Sequence, residues 1–107
     1  MERETKVYIS GKITGDKNFQ KHFDEAAYAL TVDGYSVINP ACIRLVIGHK
    51  AGYRELMRFA IDALMTADAI YMLDGWKDSP GATAEHYLAK ALGLEIMYEA
   101  PRHSDDG

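Results

Sequence analysis

Among its 107 residues the chain has one cysteine, Cys42, so no internal disulfide can brace it. Cys42 reads as a small, partly buried residue, because a nucleophilic role lacks a partner. Histidine is scarce as well. His22, His49, His86 and His103 have no metal-ligand spacing with one another or with Cys42. No metal site is expected, nor a Ser–His–Asp set. The apolar runs are far too short to span a bilayer. A net charge of -4 gives no general attraction to nucleic acid or to an anionic membrane. Residues 1–6 hold no signal-like apolar stretch, so a cytoplasmic location is expected. There is no internal repeat, no low-complexity segment, no P-loop and no dinucleotide fingerprint. No cofactor is expected.

What is present suits one globular domain spanning residues 1–107. Apolar residues make up 48% and charged residues 26%, ordinary values for such a domain. Val7, Tyr8 and Ile9 mark a strand over 6–10. Phe19, Phe23, Ala26, Ala27 and Leu30 recur at helical spacing, predicting a helix from Phe19 to about Val32. Asn18 is its expected cap and Gly34 its stop. Residues 35–38 read as a second strand, ended by Asn39-Pro40. Residues 43–50 read as a loop, with a short fifth strand as the alternative. A second helix is expected over 53–66, with Tyr53, Leu56, Met57, Ala60, Ile61 and Leu64 inward. A third strand follows over 69–73, a third helix over 80–92 stopped by Gly93, and a last strand over 94–98. Residues 100–107 are expected to fray.

Strands separated by helices predict a three-layer α/β/α sandwich around a parallel sheet, with right-handed crossovers. The expected strand order is 2-1-3-4, a flavodoxin-like or Rossmann-like arrangement of four strands. Its switch point lies between strands 1 and 3, where ligands of such sheets bind. Two loops meet there, Gly11–Gly15 and Asp74–Glu85.

The second loop turns from a strand end into a helix N-terminus. Ser79 is a favoured N-cap, and Pro80 is favoured at the first helical position. Free N–H groups at such a terminus, here of Gly81 and Ala82, suit an anion. Glu85 lies six residues past Ser79, too far for a capping box, which needs three. It falls within a face shared by Gly81, Ala84, Leu88 and Leu92. An inward carboxylate is costly unless something binds it. It is either hydrogen-bonded to a neighbouring loop or aimed at the crevice as a nucleophile or acid/base.

The first loop offers Lys12 and Thr14 for an anionic group, and Gly11 and Gly15 for close backbone approach. Its plain alternative is a tight strand-to-helix connection. Tyr8, late in strand 1, can orient Glu85 through its phenol and tune the carboxylate's pKa. Trp76 either stacks on a ligand or caps the core or a second subunit. Asn39 either contacts a ligand or initiates a turn. Asp74 and Asp78 read as solvated loop carboxylates, with a ribose hydroxyl as the alternative partner. Arg44, His49 and Lys50 read as a solvated segment that could reach a phosphate. Asp68 reads as a helix–strand junction residue at the far end.

Several of these stretches together resemble the DUF4406 family, of the nucleoside 2-deoxyribosyltransferase-like superfamily. They are Tyr8–Gly15 with Asn18-Phe19, Gly34-Tyr35, Val37–Ala41, Asp68–Trp76, Ser79–Glu85 and Ala89–Leu94. The resemblance covers most of residues 6–97. It implies that Glu85 is a nucleophile toward the anomeric carbon of a (deoxy)nucleoside or its 5′-monophosphate. Tyr8 would position it, while Gly11, Lys12, Thr14, Gly15, Asn39, Trp76, Ser79, Gly81 and Ala82 bind the substrate. It also implies a homo-oligomer. In one respect the chain departs from the pattern. The superfamily's helix-borne Asp, which assists the leaving base, corresponds to Ala60 here, and Asp62 is on the wrong face. The expected function is therefore N-glycosidic bond cleavage or transfer through a glycosyl-Glu85 ester. Alternatives are a non-catalytic binder of a nucleotide or nucleotide-derived signal, or an interaction module with a vestigial pocket.

Overall fold

The computed structural model describes residues 4–41 and 52–102, with the Tyr53 side chain excepted. The expectations for Cys42, for the loop at 43–50 with Arg44, His49 and Lys50, and for fraying over 103–107 lie outside the described residues. The elements are β1 (Lys6–Ser10), α1 (Phe19–Val32), β2 (Ser36–Ile38), α2 (Tyr53–Leu64), β3 (Ala69–Met72), α3 (Pro80–Leu92) and β4 (Glu95–Tyr98). A single 3-10 turn, Trp76–Asp78, precedes α3. The sheet is four-stranded and parallel in the order β2-β1-β3-β4.

β1 shows why the chain makes three layers. Side chains alternate across a strand, and four consecutive residues of β1 are buried, so both faces must be covered. Val7 and Ile9 join Phe23, Ala26 and Leu30 of α1 in one core. Tyr8 faces the other way, with Leu64 at the end of α2 and Ala82 and Ala89 of α3. β3 repeats the division, giving Ala69 to the first core and Ile70 and Met72 to the second. The two cores anchor opposite faces of the sheet.

Two expectations for helices need correction. Asn18 stands at the start of α1, yet its side chain makes no capping bond. Asp16 braces the turn that precedes the helix. Its Oδ1 accepts the Asn18 N–H at 2.9 Å, and its Oδ2 lies 3.0 Å from His22 Nδ1. The inward face of α3 is also not the one that Leu88 and Leu92 suggest. Ala82, Glu85, His86 and Ala89 are buried, while Ala84 is exposed and Leu92 is 43% exposed. The alanines let α3 lie close to the sheet, and the larger leucines sit toward its flank.

The start of the expected tail is also tied down. Asp74 Oδ2 accepts the Arg102 N–H at 3.0 Å, and Glu99 Oε1 accepts both the Asp74 N–H and an Arg102 guanidinium contact at 2.9 Å. Asp74 therefore secures the chain after β4. Asp68 behaves as a junction residue, with Oδ2 accepting the Lys6 N–H at 2.9 Å.

Gly11 follows β1 directly. A Cβ there would lie 2.8 Å from both Cβ and Cδ1 of Leu73, a buried residue beyond β3. Gly11→Ala is expected to destabilise the fold by about 1–3 kcal/mol, because Leu73 Cβ is fixed to backbone and cannot swing clear. Urea unfolding checks this, and an unchanged midpoint would contradict it.

Candidate functional site

Each functional side chain is placed by a simple local rule. The alternation that sends Val7 and Ile9 to one core sends Tyr8 and Ser10 to the opposite face, toward α3. At the far side, Gly75 adopts φ 89°, a left-handed turn that L side chains rarely accept, and so reverses the chain after β3. The 3-10 turn then leads to Ser79. Its hydroxyl accepts the Ala82 N–H at 3.2 Å, with Pro80 starting α3. This cap fixes the rotation of α3, and Glu85 comes to rest over β1.

There the carboxylate is clasped from below. Tyr8 donates its phenol hydrogen to Glu85 Oε2 at 2.9 Å, and Ser10 donates its hydroxyl hydrogen to Oε1 at 2.6 Å. Glu85 is only 7% exposed and both hydroxyl residues are about 1% exposed. Burial raises the Glu85 pKa above the usual carboxylate range, while the Ser10 and Tyr8 hydrogen bonds oppose the rise. Burial, then the neighbouring Glu85 charge, pushes the Tyr8 phenol well above its ordinary value, so it remains a donor. A carboxylate has about four lone-pair sites. Two hydroxyl donors leave others free, so Glu85 is both oriented and available.

Glu85 opens on a cleft of about 530 Å³. Its polar side is made by Tyr8, Ser10, Thr14, Asp78 and Ser79, together with the backbone of Gly11, Gly81 and Ala82. The rest of the lining is apolar: Phe23, Pro40, Leu56, Met57, Ala60, Ile13 and Pro80. The two loops singled out in the sequence do meet here. Among the described residues, no lysine, arginine or histidine lines the cleft, and no cluster of His, Cys, Asp or Glu could hold a metal ion.

Of the expected binding residues, Gly11, Thr14, Ser79, Gly81 and Ala82 line the cleft. Four others do not. Gly15 turns the chain with φ 86°, and Lys12 folds back over it, so that an added Cβ at Gly15 would lie 3.6 Å from Lys12 Cε. Asn39 serves its own turn, with Oδ1 accepting the Ala41 N–H at 3.1 Å and Nδ2 donating to Asp24 at 3.2 Å. Trp76 stacks on His86 with ring centroids 4.3 Å apart, and packs against the core of α2, α3 and β3. Its ring therefore covers the core.

Ser10 and the burial of His86 went unremarked in the sequence. Ser10 touches the key carboxylate, and its signal was available: it lies two residues after Tyr8, hence on the same strand face. Asp78 is exposed, as a solvated loop carboxylate should be, and it also borders the cleft. His86 is buried beside Tyr98 at 7% exposure, with Nε2 2.8 Å from Tyr98 Oη. Burial, then the Lys90 and Lys77 ammonium groups, holds His86 below its ordinary pKa. It does not reach the cleft.

A family model described as a domain of unknown function, DUF4406, matches residues 5–98. No curated protein matches the chain. No helix among the described residues is long and apolar enough to cross a membrane.

Proposed function

The chain belongs to the DUF4406 family, and since that description carries no activity, we propose one from the site itself: cleavage or transfer at the N-glycosidic bond of a (deoxy)nucleoside or its 5′-monophosphate. The observation that carries this reading is the Glu85 carboxylate, buried at the cleft and held by Tyr8 and Ser10. A carboxylate with a raised pKa is poorly solvated and correspondingly nucleophilic once ionised. Two fixed hydroxyl donors hold it in one attacking direction, which is where much of the advantage of an enclosed nucleophile arises.

The reaction runs in two displacements. A Glu85 oxygen attacks C1′ while the C1′–N bond breaks, and its electron pair leaves with the base. The product is a glycosyl ester on Glu85, reached through an oxocarbenium-like transition state. Water, or a second base, then attacks C1′ from the vacated side and the carboxylate departs. The anomeric configuration is retained overall. Thr14, Ser79 and the N–H group of Gly81 face the sugar and its 5′ end, while the Ala82 N–H is taken by the Ser79 hydroxyl. The superfamily likeness inferred from the sequence motifs supports the same assignment of Glu85 and Tyr8.

The decisive assay incubates purified protein with deoxynucleosides and their 5′-monophosphates and follows free base. Base release that disappears in Glu85→Gln supports the reading. Adding a second base separates transfer from hydrolysis.

One observation favours a second reading, a non-catalytic nucleotide binder. Ala60 presents only a methyl group to the cleft, where the superfamily pattern calls for an acid. Under that reading a nucleotide raises the melting temperature and is recovered intact.

Ser10 and Tyr8 have a testable role in tuning Glu85. Each hydrogen bond lowers the carboxylate's pKa against the effect of burial. Removing one should therefore raise that pKa further. The nucleophile works ionised, so activity is lost as pH falls through the Glu85 pKa. Ser10→Ala and Tyr8→Phe are each expected to move the acidic limb of kcat/KM to higher pH. Each should also reduce the plateau about 10-fold or more, the usual worth of a hydrogen bond to a charged group. An acidic limb that stays in place would remove both residues from this role.

A further inference from the structure

We propose that His86 is an acid-sensitive latch: protonating this one buried imidazole loosens α3 from the edge strand β4, next to Glu85. The inference stands on packing outside the cleft and does not depend on the N-glycosidic reading.

Three elements meet at the ring. His86 belongs to α3 and is 7% exposed. Its Nε2 lies 2.8 Å from Tyr98 Oη of β4. Its face stacks on Trp76 of the 3-10 turn, with centroids 4.3 Å apart and planes 28° from parallel. Tyr87 meets it edge-on, with centroids 5.5 Å apart. Among the described strands β4 is an edge strand, paired with β3 on one side. Its contacts with α3 therefore matter to how firmly it is held.

The other ring nitrogen sets the sign of the response. Nδ1 is buried, and among the described residues it has no hydrogen-bond partner. A buried nitrogen without a partner is tolerated better as a bare acceptor than as an N–H donor. Neutral His86 therefore carries its hydrogen on Nε2 and donates it to Tyr98 Oη. Protonation turns Nδ1 into a buried, charged donor with nothing to receive it, a costly state. Lys90 of α3 and Lys77 of the turn, the charges that act on the ring, are both cations and add to the cost. Tyr98 of β4 and Tyr87 of α3 are the other titratable groups against it. The charge is relieved when the ring swings out to water, which gives up the Trp76 stack and the Tyr98 bond together. Glu85 precedes His86 on α3, so a helix loosened there also loosens the carboxylate's seat on Tyr8 and Ser10. In the folded chain His86 is held below its ordinary value of 6.5. As pH falls the unfolded chain takes up its proton first. Stability is therefore lost from about pH 6.5 downward, until the folded ring is protonated too.

The test uses the full chain carrying Glu85→Gln, because Glu85 titrates with the opposite sign. To it is added His86→Phe, which keeps a ring over Trp76, or His86→Gln, which keeps an N–H donor for Tyr98. Trp76 is the only tryptophan, so acrylamide quenching of its emission reads the stack directly. Between about pH 7.5 and about pH 5, quenching is expected to steepen about 2-fold or more with His86 present, and to stay level in both His86 variants. Over the same range the unfolding constant from urea titration is expected to rise about 3-fold or more with His86 present, relative to either variant. Either variant carries the comparison if the other does not fold. Stability curves that run parallel in all the proteins would overturn the proposal. Quenching that stays level with His86 present would overturn it without reference to any variant, since the ring would then have kept its place on Trp76.

Discussion

Replacing Glu85 with glutamine is expected to lower base release by about 10³-fold or more, because the amide retains the shape of the carboxylate but cannot form the glycosyl ester. Fold and ligand binding should survive. Glutamine's carbonyl still accepts the Tyr8 hydroxyl hydrogen, and its NH2 can donate to Ser10 once that hydroxyl rotates. The variant carries a second, independent signature in its stability. Glu85 has a folded-state pKa raised by burial above its ordinary value of 4.5. Below that value it is protonated in both folded and unfolded chains. As pH rises through it, the unfolded chain releases its proton first and stability falls, until the folded-state pKa is passed. The glutamine side chain does not titrate, so Glu85→Gln should gain stability relative to the parent protein as pH rises from about 4.5, then level off. Thermal unfolding of both proteins across mildly acidic to neutral pH measures this. A difference independent of pH would mean that burial of the charge is not being felt. Loss of turnover without any stability gain would still identify the nucleophile, so the two arms answer separate questions.

Phe23→Ala is expected to cost about 3–5 kcal/mol, the usual penalty for truncating a fully buried phenylalanine. Phe23 is 0% exposed and packs in the core that joins α1 to Val7, Ile9 and Leu73. A domain of this size has about 5–15 kcal/mol in all, so one substitution removes a large share. Phe23 also forms part of the apolar wall of the cleft. The cavity left by alanine is therefore continuous with the site, and ligand affinity should fall alongside stability. Urea denaturation gives the first quantity. Phe23→Leu separates the two, since it refills most of the core while altering the shape of the wall. A loss below about 1 kcal/mol for Phe23→Ala would show that the site collapses around the missing ring.

How much of this could be read beforehand varied with the kind of question. β1, α1 and β3 announced themselves by periodicity and turn chemistry, and the β2-β1-β3-β4 order followed from alternating strands and helices. Glu85 was found by elimination, since its distance from Ser79 ruled out capping. The face of α3 was misjudged because Leu88 and Leu92 outweighed Ala82 and Ala89, although small residues are what a helix needs when it lies close to a sheet. Asn39 and Lys12 were plausible ligands by residue type alone. Only the neighbours of Asn39, Ala41 and Asp24, show it serving its own turn, and only the lining of the cleft leaves Lys12 out. Trp76 had two open uses, and its partner His86 lies ten residues away on the next helix.

Local patterns were enough for the elements, the parallel sheet and the meeting of two loops at its switch point, because backbone preferences and apolar periods act over a few residues. The surroundings of Glu85 came from packing instead. Its bonds to Ser10 and Tyr8 span 75 and 77 residues. They exist only because α3, rotated by its cap and drawn in by its alanines, sets one carboxylate against the inner face of β1. A position that depends on two elements docking cannot be expressed as a local pattern.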